Sequence, residues 1–84
     1  MVRITVKLFA GFRPLLPAEN RIEGITIDVD DYITPHQILR QFKVPVEQAH
    51  LLLINGVFIE PERRNQAIFK NNDVFAVWPA VAGG

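Results

Sequence analysis

The chain has 84 residues, with nine Lys and Arg against nine Asp and Glu, and 49% of its residues are hydrophobic. That length gives one domain with a modest core, and that apolar content excludes disorder as the default. Balanced charge excludes nucleic acid as the main partner, because phosphate binding needs a basic excess, and the absence of cysteine excludes disulfides, thiolate metal sites and a cysteine nucleophile.

Val2 to Phe9, "VRITVKLF", alternates apolar and polar residues, the period of a half-buried strand. "FAGFRPLLP" follows, and its prolines break any long helix. A short helical turn around Phe12 to Leu16 is expected, with Leu15 and Leu16 covering one end of the core. Arg21 to Val29, "RIEGITIDV", alternates again and gives a second strand, antiparallel to the first, with Gly24 marking a bulge. Asp28, Asp30 and Asp31 read as a solvated turn.

In "ITPHQILRQF", Thr34 is a good N-cap, Pro35 suits the first helical position and Gln37 completes a capping box. Ile38, Leu39 and Phe42 make an apolar face, so a helix is predicted over Pro35 to Phe42. "HLLLIN" is a continuous apolar run whose length suits a central strand, and Asn55-Gly56 is a strong hairpin signal. "VFIE" is the short return strand. In the polar connection that follows, Ala67, Ile68 and Phe69 are expected in the core and Arg63-Arg64 on the surface. "VFAVW", Val74 to Trp78, is the last strand. It is placed parallel to the first at the sheet centre.

Strands grouped around one helix indicate an α+β two-layer domain. Ile4, Val6, Leu39, Leu52, Ile54 and Val74 are predicted core residues. Residues 1–78 form the domain, and 79–84 project as a tail spanning up to about 20 Å if fully extended. Successive strand residues point to opposite faces, so Phe75, Val77 and Trp78 cannot all face inward. Part of the set Phe75, Val77, Pro79 and Val81 is therefore expected as an exposed apolar docking surface beside the tail.

Three stretches carry a resemblance: "VKLFAGFRPLL", "LLLINGVFI" and "NNDVFAVWPAVAGG". Together they make the chain similar to the ubiquitin-like sulfur carriers of the MoaD/ThiS type. The resemblance implies a β-grasp mixed sheet packed on one main helix, with a flexible C-terminal Gly-Gly tail. It implies that the Gly84 carboxylate is adenylated by a ubiquitin-activating-type adenylyltransferase, which uses ATP, and is converted to a thiocarboxylate. Gly83, Ala82 and Val81 would thread the activating channel. Glycine suits that task, since a Cβ widens the thread and restricts its torsions.

The resemblance implies no bound cofactor, and a sulfur donor rather than a catalyst on its own. The long connection from Ala10 to Asn20 and the proline before the tail, Pro79, resemble the small subunit of molybdopterin synthase. Its partner would then be the larger synthase subunit. The alternatives are a carrier for thiamine thiazole synthesis, partnered by a thiazole synthase, and a ubiquitin-like modifier conjugated to lysines through Gly84. His36 and His50 lack a metal-ligand spacing, so no metal is expected. No stretch reaches the roughly 18 apolar residues of a membrane span, and no signal peptide is seen, so a soluble cytoplasmic protein is expected.

Overall fold

The computed structural model describes residues 1–80. The expectations for Val81, Ala82, Gly83 and Gly84 lie outside the described residues. In chain order the elements are β1 (Val2–Leu8), β2 (Ile25–Val29), α1 (Pro35–Gln41), β3 (Ala49–Ile54), β4 (Val57–Phe58) and β5 (Asp73–Pro79). Short 3-10 turns occupy Ala10–Leu15, Ala18–Asn20, Val46–Gln48 and Pro61–Arg63.

The strands form one sheet in the order β2-β1-β5-β3-β4. β5 lies parallel to β1 and antiparallel to β3, so the first and last strands share the sheet centre. This is the β-grasp arrangement. The sheet reaches Pro79, which pairs with Ala49, so Pro79 belongs to the strand and not to the tail.

Alternation decides the two faces. Ile4, Val6 and Leu8 of β1, Phe75 and Val77 of β5, and Leu52 of β3 point to one side and are buried. Ile38 and Leu39 of α1 cover them, joined by Phe12, Leu16 and Phe69 from the connections. Phe69 meets Phe75 edge-on, with ring centroids 5.2 Å apart. The helix starts as its sequence requires. Gln37 N–H donates to Thr34 Oγ1 at 3.2 Å, and Thr34 N–H donates back to Gln37 Oε1 at 2.9 Å.

Its end is a Schellman motif built without glycine. Val44 N–H donates to Leu39 O at 2.8 Å, Lys43 N–H donates to Arg40 O at 3.0 Å, and Lys43 takes φ 61°. The Asn55-Gly56 turn joins β3 to β4, with φ 52° and 81°. Positive φ at both central residues is what a tight hairpin demands.

Several expectations change. β2 begins at Ile25, because Arg21 to Gly24 form a turn closed by Gly24 N–H donating to Asn20 O at 2.9 Å. Gly24 makes no bulge. It takes φ 88°, and a Cβ there would stand 2.7 Å from Val6 O, so the site needs glycine for close approach. The register shift falls instead between Ala49 and Leu51 in β3. Val74 pairs with Thr5 on the side of the sheet away from the core, and Leu15 and Ala67 are exposed.

Arg64 is the largest departure. It is buried, and its guanidinium donates to Ile59 O at 3.0 Å and to Ala49 O and His50 O at 3.4 Å. β4 is only two residues long, so among the described residues the first half of β3 has no neighbouring strand on that side. Arg64 satisfies those carbonyls in its place, and its charge lies 5.5 Å from the Phe58 ring centre. Burial lowers its pKa from the ordinary arginine value, and arginine remains charged under all such conditions.

Candidate functional site

The helix covers one face of the sheet only. Register fixes what lines the other. β1 and β2 present polar pairs there. Arg3 Nε lies 3.0 Å from an oxygen of Asp28, and the hydroxyls of Thr5 and Thr26 are 3.0 Å apart. The Arg3 hydrogen bond holds the Asp28 carboxyl below its usual value.

β5, β3 and β4 present an apolar half. Ala76 pairs with Leu53, and Leu53 pairs with Phe58, so these three form one row across the strands. Trp78 pairs with Leu51 in the next row. Phe9 follows the last residue of β1 and stacks on Trp78, with ring centroids 4.1 Å apart and planes 4° from parallel. Leu51 is 37% exposed and Phe58 49% exposed, while Phe9, Leu53 and Trp78 are half-buried. Lys7 pairs with Ala76 and brings a positive charge to the border of this patch.

The patch sits where the chain leaves the sheet. β5 enters from its polar end, where buried Asp73 accepts from Lys70 N–H and from Asn55 Nδ2, each at 2.8 Å. It then crosses the sheet centre and finishes at Pro79, beside the Phe9–Trp78–Leu51 row. The polar cleft formed by Met1, Arg3, Asp28, Asn71 and Asn72 lies at the opposite end of the same strands.

The predicted docking residues are placed differently from expectation. Phe75 and Val77 are fully buried on the helix side, so neither presents an exposed docking surface. Pro79 is half-buried at the end of β5. The apolar residues on the outer face of β5, β3 and β4 are instead Leu51 and Phe58, which are exposed, and Phe9, Leu53 and Trp78, which are half-buried. Two sequence signals pointed to them. "HLLLIN" places leucines on both faces of one strand, and "FAVW" puts an aromatic residue one position out of phase with the buried pair Phe75 and Val77.

Among the described residues no helix is long and apolar enough to cross a membrane. No family model matches the chain, and no curated protein matches it. Solved structures do. A Pyrococcus furiosus chain described as a candidate molybdopterin converting factor, subunit 1, superposes with a TM-score of 0.66 at 20% identity, covering 96% of this chain and 100% of its own. SAMP1 from Haloferax volcanii gives a TM-score of 0.64 at 22% identity, covering 98% of this chain and 99% of its own. The likeness extends over whole chains on both sides, and it is a likeness of fold.

Proposed function

We propose that this chain is a ubiquitin-like sulfur carrier acting through the Gly84 carboxylate, in molybdopterin synthesis as the small subunit of a synthase. The observation that carries the reading is the path of β5. It runs through the centre of the sheet and ends at Pro79, five residues before Gly84 in the sequence, beside an apolar face that no other described element covers.

The chemistry follows from the carboxylate. One of its oxygens attacks the α-phosphorus of ATP held by an activating enzyme, and pyrophosphate leaves. Hydrosulfide from a sulfur donor then attacks the acyl carbon and displaces AMP. The product is a thiocarboxylate at Gly84, which delivers sulfur in a site that the larger synthase subunit provides. The likeness to the Pyrococcus furiosus protein supports the molybdopterin assignment, as does the long connection from Ala10 to Asn20. The outer apolar face, with Trp78 and Leu51 near the end of β5, is the docking surface on this reading. Docking is suited to such a patch, because burying apolar area drives association without fixed chemistry of its own.

Two measurements test the reading. Protein isolated from its own cells should carry a mass increase equal to exchanging one oxygen for sulfur. Deleting Gly84 shortens the reach by about 3.5 Å and should abolish ATP–pyrophosphate exchange with the cognate activating enzyme. Full exchange by the shortened protein sinks the mechanism. Recovery of the chain linked through Gly84 to lysines of other proteins would favour a modifier, and co-purification with a thiazole synthase would favour the thiazole pathway.

A further inference from the structure

We propose that the stacked Phe9–Trp78 pair is a positioning element, which fixes the direction in which the chain leaves the sheet and so where the terminal carboxylate arrives. The inference rests on the carrier reading above and concerns a different property of it, namely orientation at the exit.

Three contacts hold the last turn of β5. Phe9 N–H donates to Val77 O at 3.0 Å, one residue before Trp78. The Phe9 ring lies flat against the Trp78 ring at 4.1 Å. On the far side, Pro79 pairs with Ala49, the final rung between β5 and β3. The stack lies on the face away from the core, where both rings remain half-exposed. Core packing is served by a separate aromatic pair, Phe69 with Phe75. The Phe9–Trp78 pair therefore sits where rigidity is gained at the exit point rather than where burial is greatest.

Pro79 carries that rigidity onward. Its ring locks φ near −65°, so the strand's direction passes to Ala80 through one fewer soft torsion. Lever length makes the effect large. While an activating channel holds the tail drawn out, as the carrier reading requires, a tilt of about 10° at Trp78 would displace the end of a roughly 20 Å arm by about 3.5 Å. A misplacement of only about 1 Å at a reacting centre can cost on the order of 100-fold in rate. Losing the stack should therefore affect the chemical step more than encounter with the enzyme.

The test uses the full chain and Phe9→Leu, which keeps apolar bulk but removes the stack. In ATP–pyrophosphate exchange at varied carrier concentration, the maximal rate should fall about tenfold or more, with half-saturation within about threefold of the parent. Phe9→Tyr, which keeps a ring, should recover most of that rate. A raised half-saturation with an unchanged maximum would make the pair a docking contact only and overturn the proposal. So would no change in either quantity.

A second measurement needs no activity. The heteronuclear 15N NOE at the Trp78 and Ala80 amides should drop in Phe9→Leu while that of Ile4 holds. Unchanged values at both amides overturn the positioning role whatever the sulfur chemistry is. Full exchange by the Gly84-deleted chain instead overturns the carrier reading, and the NOE then still judges the stack by itself.

Discussion

At the scale of single residues, the adjacent arginines give the clearest contrast. Arg63 is exposed, whereas Arg64 donates to three backbone carbonyls. Arg64→Leu strips those carbonyls of their donor and should cost about 1–3 kcal/mol. Arg63→Leu should stay within about 0.5 kcal/mol. Urea denaturation of the two variants checks the difference. Leu52 of β3 is completely buried on the face of the sheet that α1 covers, so Leu52→Ala removes contacts and leaves a cavity, at about 2–5 kcal/mol in the same experiment. The Arg3–Asp28 pair gives a pH signature. Asp28 titrates below its ordinary value when folded, because of the Arg3 hydrogen bond. Its contribution is present above the unfolded carboxylate pKa of about 3.9, and it is lost as pH falls through the lower folded value. Both groups are exposed, so the effect is small and screened by salt. Melting curves of Asp28→Asn and the parent should differ at neutral pH and converge in acid.

At the scale of elements, the end of α1 holds a residue of the wrong type for its backbone. Lys43 sits in the left-handed region, which costs a residue with a Cβ about 1–2 kcal/mol. Glycine removes that cost but loses about 0.4–1 kcal/mol to its freer unfolded chain. The strain term is the larger, so Lys43→Gly should stabilise the protein by about 0.5–1 kcal/mol. Thermal unfolding checks this, and a lowered melting temperature would count against the Schellman assignment. The β3–β4 hairpin shows a compensation of another kind. β4 stops after two residues, and a side chain from a distant connection takes over the pairing that a longer strand would have made. Capping Ala49 O and His50 O also removes two acceptors that an added strand could use.

At the scale of the whole molecule, the layout is asymmetric. One face of the sheet is covered by the helix and connections, and the other is divided between a polar half and an apolar half. The apolar half borders the point where β5 ends. Stability and partner binding should therefore separate by face. Leu51→Asp puts a charge into the apolar half without entering the core, so its stability should shift by less than about 1 kcal/mol. Half-saturation in the exchange assay should rise at least tenfold, which corresponds to about 1.4 kcal/mol of lost docking energy. An unchanged half-saturation would remove Leu51 from the docking surface.

Local signals were legible in the sequence because they are written in neighbouring residues. The Thr34–Gln37 capping box, the Asn55-Gly56 hairpin, the alternation in β1 and the Gly-Gly ending each lie within a few positions. The parallel placement of the first and last strands was also expected from the chain, whereas the full strand order came only with the structure. What the sequence could not assign was sidedness and long-range partnership. The buried pair Phe75 and Val77 and the exposed Trp78 are all apolar, and only the position of α1 decides which of them face inward. Gly24 is compatible with a bulge until Val6 O is found 2.7 Å from where its Cβ would be. Arg64 looks like its neighbour Arg63 until Ala49 and His50, far away in the chain, bring their carbonyls to it. Periodicity is set by bonds along the chain and survives in the sequence, whereas the identity of a neighbour across space is set by packing and appears only once the layers have closed.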